Sequence, residues 1–380
     1  MSEKQDKSSA CSTPEEAQKH RKKRRFTGWI VAGSILLVLG GLALWFCLSP
    51  FGSALLRVGN MFDKTVRIVA QPSTDPDATA RPAVLVPPDA EISDTAPSDE
   101  ALDAELIDDE ESAAPQDIYK RASIDANVVN ILILGQDGVS YQEASNRTDV
   151  MLLLSYNRAT NEAKLVSFQR DAYVPIVGRK NWNRLNTCYH FGGAGLAVNT
   201  FNELFDLDIQ YYVTLAFSEF KQLVDAVGGI DLTITSLEAN NINSACPDDA
   251  HVKEGLAHLT GQQALQFCRN RSTGTGDWGR AERQRRFMLA LYQKVRANFD
   301  LNMATELINY ASDYIRTNIS FSLLYDLAKT VVVGEEVAVQ NTRVPFDDTW
   351  HYASKNVASV IVFDIETNAQ LLYEYLYGTN

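Results

Sequence analysis

The sequence predicts an α/β domain with helices on both faces of a sheet, held behind a single transmembrane helix. Three observations carry this. Val128–Gly135, Val150–Tyr156 and Ala163–Phe168 are nearly continuous apolar runs, as expected of strands buried on both faces. From Leu196 onward, segments of helical and strand character alternate, which is the pattern of an α/β layer structure. Phe26 to Leu48 is a run of 23 residues without one charged side chain, and about 20 apolar residues span a bilayer as a helix.

Residues 1–25 read as a basic cytoplasmic tail. Six Lys and Arg lie within residues 19–25, directly before the apolar run, and such a cluster keeps its side of a span in the cytoplasm. A cleaved signal peptide usually has a shorter apolar region, so residues 26–48 are expected to be a retained signal anchor. The chain is then a single-pass protein of the cell membrane, in contact with the lipid bilayer, with everything after residue 50 outside the cell. Residues 49–71 form a juxtamembrane stalk whose mixed apolar and basic residues fit either a surface helix or a plain spacer. Residues 72–120 form an acidic linker. Segment 72–117 holds fourteen Asp and Glu against one Arg, with seven of the twelve prolines. That segment accounts for the whole formal charge of -13, so the remainder is close to neutral. Like charge, proline and low hydrophobicity predict disorder there.

The globular domain spans 121–380. Gln136-Asp137-Gly138 follows its first strand, and Asn146-Arg147-Thr148-Asp149 leads into the second. Ser167-Phe168-Gln169-Arg170-Asp171 closes the third. Charged residues thus recur at the ends of three successive strands, and ligands of open α/β sheets bind at the carboxyl edge. Asp137 and Asp149 are suitable ligands for a hard divalent cation, which takes one or two carboxylates beside substrate phosphates. A single loop aspartate more often caps a turn. Farther on, Leu196–Phe205 reads as helix, Gln210–Leu215 as strand, Phe217–Val227 as helix and Ile230–Ile234 as strand. Gly255–Phe267 contains a further helix, and two more lie near 302–316 and 320–333. A strand at Val357–Phe363 and a helix near Asn368–Leu376 close the chain.

Six arginines lie between Arg269 and Arg286, with only Asp277 and Glu282 as carboxylates among them. The planar guanidinium fork pairs with phosphate oxygens and keeps its charge at any working pH. Arg269 and Arg271 alternate along an extended segment, and a helix begins near Asp277, a good N-cap residue. Arg280 and Gln284, four apart, share one face of it. This is an anion site in need of an anion, to be weighed against a solvated basic helix face.

Other chemistries find little support. No Gly-x-Ser-x-Gly or Walker loop appears, which speaks against a serine hydrolase or an NTPase. His251 and His258, with Cys246 and Cys268 nearby, lack zinc spacing. His190, between Tyr189 and Phe191, reads as packed. Of the five cysteines, Cys188, Cys246 and Cys268 fall outside the membrane. A bridge from Cys246 to Cys268 would stiffen the arginine segment, against a default of buried free thiols. Nucleic acid is not an expected partner, because the arginines lie outside the cell and the domain is not basic.

At this point the ordered motifs resemble the LytR-CpsA-Psr family of membrane-anchored glycopolymer ligases of Gram-positive bacteria. They are Leu-Gly-Gln-Asp-Gly at 134–138, Arg-Thr-Asp at 147–149, Val-Ser-Phe-Gln-Arg-Asp at 166–171 and Leu-Asn-Thr-Cys-Tyr-His-Phe-Gly-Gly at 185–193. Leu-Val-Asp-Ala-Val-Gly-Gly-Ile-Asp at 223–231, Leu-Thr-Gly-Gln-Gln-Ala-Leu at 259–265, Arg-Asn-Arg at 269–271 and Asp-Trp-Gly-Arg-Ala-Glu-Arg-Gln at 277–284 continue the series. The resemblance implies a three-layer α/β/α sandwich with a central mixed sheet. It implies a phosphotransferase that moves a glycan phosphate, of a teichoic acid or capsular-type polymer, from a polyprenyl pyrophosphate carrier to peptidoglycan. By motif, Asp137 and Asp149 hold magnesium (or manganese), while Arg147, Arg170, Arg269, Arg271, Arg280 and Gln284 hold phosphates and Asp277 orients arginines. Arg147, Asp149, Arg170 and Arg271 are the expected catalytic set, with Asp149 the first choice for a base. Gln169 stands where the family commonly has Pro, and Thr148 where Ser is frequent. A pyrophosphatase or phosphatase using the same groups, and a non-enzymatic regulator, are the alternatives.

Overall fold

The computed structural model describes residues 49–70, 91–93, 116–136, 147–216, 219–271, 276–355 and 358–378. The expected membrane span at 26–48 and most of the linker lie outside the described residues. Among those described, no helix is long and apolar enough to cross a membrane. The chain divides into two units at Leu56, and of the first only part of a helix, α1 (Pro50–Arg57), is described.

The second unit is built on a six-stranded sheet. Its members are β4 (Val128–Gln136), β5 (Thr148–Asn157), β6 (Glu162–Phe168), β9 (Tyr211–Ala216), β12 (Ile315–Thr317) and β13 (Ala338–Val344), in spatial order β12-β9-β4-β5-β6-β13. The sheet is mixed: β4 with β9 and β6 with β13 run parallel, and the other neighbours antiparallel. Because β5 runs against both β4 and β6, the end of β4, the start of β5 and the ends of β6, β9 and β13 meet at one edge. Gln136 pairs with Thr148 there, and Val344 with Phe168.

Side chains alternate across the sheet as period-two strands demand. On one face Leu132, Leu134, Leu153 and Val166 meet α2 (Cys188–Phe205) and, after the last strand, α9 (Ile365–Tyr377). Phe168 packs there against Phe201 and Phe205, with ring centroids 4.8 and 5.1 Å away. On the other face Val129 and Ile131 meet Leu323 of α8 (Phe321–Val333), and α6 (Gly276–Asn298) runs beside it. The helices therefore form layers on both faces of the sheet.

Smaller elements complete the unit. A hairpin of β7 (Tyr173–Pro175) and β8 (Trp182–Arg184) follows β6, and β10 (Ile230–Ile234) pairs with β11 (Gly255–Leu259). α3 (Phe220–Ala226), α4 (Ser236–Ala245), α5 (Gly261–Arg269) and α7 (Leu301–Tyr314) fill the connections. Thr235 with Glu238, and Thr260 with Gln263, form complete capping boxes, so α4 and α5 begin where sequence chemistry places them.

Several expectations need correction. Parts of the stalk and linker are ordered: β1 (Ile68–Ala70) pairs with β3 (Ile118–Lys120), and β2 (Glu91–Ser93) adds to the edge of β14 (Trp350–Lys355), whose other partner is β15 (Ala358–Phe363). Open strand edges supply the hydrogen bonds that composition alone does not reveal. β13 and β14 were not anticipated, because their sequences are polar and half-exposed. The glycine run at 192–195 lies inside α2, which kinks at Gly193 with φ +65°.

Gly195 marks where the segment leading into β3 crosses α2. A Cβ at Gly195 would stand 1.7 Å from the carbonyl oxygen of Gln116, while Asn199 one turn later exchanges hydrogen bonds with Tyr119 N and Asp117 O at 2.9 Å. Gly195→Ala is therefore expected to destabilise the protein by about 2–3 kcal/mol, because backbone must move, and a lowered unfolding midpoint in denaturant checks it.

Candidate functional site

Three connections at the common sheet edge bring charged side chains onto the first turns of α6. Thr148 and Asp149 open β5, the turn after β6 supplies Arg170 and Asp171, and Arg184 ends β8. α6 contributes Asp277, Arg280 and Gln284, and the segment just before it Arg271.

The side chains interlock. Arg170 donates from Nη1 to both oxygens of Asp149 at 3.2 and 3.3 Å, and from Nε to Asp277 Oδ2 at 3.0 Å. Arg280 pairs with Asp277 at 3.4 Å and with Asp149 at 3.7 Å. Arg271 reaches Asp277 at 3.2 Å. Asp171 stands 3.4 Å from the Nε atoms of both Arg170 and Arg184. Arg184 is also fixed by the carbonyl of Ser359, to which its Nε donates at 3.1 Å. Asp277 thus touches three guanidinium groups and is the hub of the cluster.

Burial makes these contacts matter. Arg170, Asp171, Arg184, Asp277, Arg280 and Gln284 are all buried, and isolated charges there would carry a heavy desolvation cost. For Asp149, burial pushes the carboxyl up, but Arg170 and Arg280 outweigh it and hold the group below the usual carboxylate range. Asp277 follows the same logic more strongly: burial opposes ionisation, and Arg280, Arg170 and Arg271 overcome it. Gln284 Nε2 is buried with no hydrogen-bond partner, a donor left for a ligand.

The structure brings together Asp149, Arg170, Arg271, Asp277 and Arg280 from the expected set, with Gln284 on the face of α6 that carries Arg280. Arg147 is adjacent, close enough to act electrostatically on Arg184. Arg269 lies exposed in the last turn of α5. Asp137 falls outside the described residues. Asp277 is not the N-cap that its place before the helix suggests: it sits in the first turn of α6 (Gly276–Asn298), and its carboxylate faces arginines. The remaining arginines are structural pins. Arg283 donates to Phe267 O at 3.1 Å, Arg285 to Asn341 Oδ1 at 3.0 Å and Arg286 to Glu238 Oε1 at 2.8 Å. Cys188, Cys246 and Cys268 are free and buried, and burial pushes the Cys188 thiol up to about 12. Sequence reading missed Arg184 and the centrality of Asp171. The Arg-Asp doublet at 170–171 was visible, but nothing local tells that Arg184 returns to it across a hairpin.

A mixed α/β sheet whose edge gathers four arginines around three aspartates defines a protein that handles a multiply charged anion. More particularly, the family model described as the LytR_cpsA_psr family matches residues 99–373, and the chain belongs to that family. Among curated relatives, the "Polyisoprenyl-teichoic acid--peptidoglycan teichoic acid transferase TagU" of Bacillus mycoides (strain KBAB4) is 32% identical over 230 residues, 59% of this chain and 73% of that protein. The protein of that name from Enterococcus faecalis (strain ATCC 700802 / V583) is 34% identical over 201 residues, 52% of this chain and 64% of its own length. Among solved structures, B. subtilis TagT superposes with a TM-score of 0.54 at 22% identity, covering 68% of this chain and 92% of that one. YwtF (TagT) with bound octaprenyl pyrophosphate lipid gives 0.53 at 21% identity, over 68% and 93%. At such identity these structures share the fold.

Removing the hub should expose its importance. Asp277→Ala leaves buried arginines without their common partner and is expected to cost about 3–5 kcal/mol, read as a fall in the thermal unfolding midpoint.

Proposed function

We propose that the chain transfers a glycan phosphate of the teichoic acid kind from a polyprenyl pyrophosphate carrier to peptidoglycan. One face of α6 carries this reading. Arg280 and Gln284 lie on it beside the anion cluster, and Met288, Leu291 and Val295 continue it at helical spacing into an apolar cavity of about 290 Å³. Leu154 and Leu165 of the sheet and Leu327 of α8 also line it. A ligand with a charged head and an isoprenoid tail matches a helix face that is cationic at one end and apolar farther along. The relatives' named activity, teichoic acid transfer to peptidoglycan, is of the same chemistry.

In the transfer, Arg170, Arg271 and Arg280 hold the pyrophosphate oxygens, and Gln284 adds a neutral donor. An acceptor sugar hydroxyl attacks the phosphorus bonded to the glycan. The new oxygen–phosphorus bond forms as the bond to the bridging oxygen breaks, polyprenyl phosphate leaves, and the hydroxyl proton passes to solvent or to the departing phosphate. The arginines stabilise charge growing on that leaving group, so the protein contributes position and electrostatics more than covalent chemistry. Asp149, held ionised by two arginines, is a weak proton acceptor and better suited to orienting them and a cation than to act as a base.

Magnesium fits this site only together with phosphate. Among the described residues no group of three His, Cys, Asp or Glu could hold a metal alone. Asp149 offers one carboxylate, Asp137 is the second by motif, and phosphate oxygens complete the usual donor set. A bound cation supplies additional charge neutralisation on the pyrophosphate. The apolar run at 26–48 and the basic residues before it support a membrane-anchored protein with this domain outside the cell.

With a polyprenyl pyrophosphate–glycan donor, peptidoglycan and magnesium, wild type is expected to yield labelled peptidoglycan, while Arg271→Ala and Asp149→Ala each lose roughly 100-fold or more. Release of free glycan phosphate irrespective of acceptor would instead establish a hydrolase. For topology, added protease should digest residues 121–380 in intact cells; complete protection would refute an external domain.

A further inference from the structure

Residues 57–70 take no part in the transfer as outlined, yet they are built into the domain. Arg57 forms an ion pair with Asp313 in the last turn of α7. Phe62 bridges to Thr317 of β12. Asp63 is held twice: its N–H donates to Thr317 O, and its carboxylate accepts from the Tyr212 hydroxyl, both at 2.7 Å. Met61 and Val66 are buried, Val66 in the same core cluster as Ile118 and Leu132. β1 then pairs with β3, with Ala70 opposite Lys120, so the acidic segment leaves and re-enters the domain at one place. That segment is an excursion from the fold and not a tether between domain and membrane.

Chain length turns this into a constraint on the bilayer. The apolar run ends at Leu48, and only residues 49–56 separate it from Arg57. Fully extended they reach about 30 Å, and the helical α1 shortens that reach. The docking point also lies close to α8, because Thr317 precedes Phe321 by four residues, at most about 14 Å of chain. Leu323, Leu327 and Val331 of α8 turn inward, the last two lining the apolar cavity. Phe321, Tyr325 and Ala328 share the opposite face, with Phe321 51% and Tyr325 61% exposed. Aromatic rings left in water on one helix face match the headgroup boundary of a bilayer, where amphipathic rings settle.

We propose that residues 57–70 are a strap that seats the outer face of α8 on the external surface of the bilayer, with Phe321 and Tyr325 at headgroup depth. One helix thickness, about 10 Å, then separates the headgroups from the cavity on the inner face of α8, so an isoprenoid chain enters without crossing open water. The proposal rests on the membrane-anchored reading of residues 26–48 and needs no transfer activity.

The test uses the full-length chain in liposomes of phosphatidylethanolamine and phosphatidylglycerol that carry doxyl-labelled lipid. Cys11→Ser and Cys47→Ser leave only buried thiols, and Ala328→Cys then takes an environment-sensitive fluorophore. Doxyl lipid is expected to quench it strongly. A flexible Gly-Ser insertion of about 12 residues, adding roughly 20 Å of reach, is compared at two places, after Ser49 and after Asp77. Most of the quenching should be lost with the first insertion and none with the second. Phe321→Ser combined with Tyr325→Ser should weaken it as well. No quenching at position 328, an equal response to the two insertions, or quenching untouched by the double substitution would overturn the proposal. An alkaline carbonate wash separates this from the anchor. Chain that washes off the liposomes refutes the span at 26–48 and the docking with it, whereas chain retained yet unquenched refutes the docking alone.

Discussion

Everything at the sheet edge depends on compensating buried charge. A guanidinium group withdrawn from water is tolerated only where carboxylates and carbonyls replace the lost hydration. Asp277 does this for three arginines at once, and Asp149 links two of the same three through a different strand. The result binds the turn after β6, the start of β5 and the first turns of α6 into one unit. The position of α6 against the sheet and the geometry of the anion cradle are therefore the same fact.

The pins farther along α6 serve that constraint from behind. Arg283 and Arg286 tie the helix to α5, β10 and Glu238 of α4, while Arg285 reaches Ser167 and Asn341 at the top of the sheet. A sequence dense in arginine thus divides by helical phase: one phase faces Asp149 and Asp277 at the sheet edge and the others pin the helix to its neighbours. Charge counting could locate the helix but not assign its phases, since the partners lie on elements 16 to 118 residues away.

What was legible follows from how local each signal is. The strands of the sheet centre are apolar throughout and announce themselves, whereas the short polar helix α4, opened by the Thr235–Glu238 capping box, went unread. Edge strands are different. β13 and β14 are half polar, and β3 comes from a segment that composition assigns to disorder; pairing with distant strands makes them regular. Ordered motifs brought most of the site within reach, whereas Arg184 entered through a hairpin closure that no spacing encodes. From its place before the helix alone Asp277 reads as a cap, whereas the motif resemblance has it orienting arginines. Three converging arginines outcompete the backbone N–H groups for it.

Among the described residues, the cluster carries more arginines than carboxylates: Arg170, Arg184, Arg271 and Arg280 face Asp149, Asp171 and Asp277, four positive groups against three negative ones. Carbonyl acceptors such as Ser359 O lessen the repulsion but carry no full charge. An anion completes the set. Gln284 contributes in the same direction as a donor that adds no charge. Under the proposed transfer reading, a preference for a pyrophosphate-bearing ligand rests on charge the fold itself holds in place, before any contact with the attached sugar or lipid.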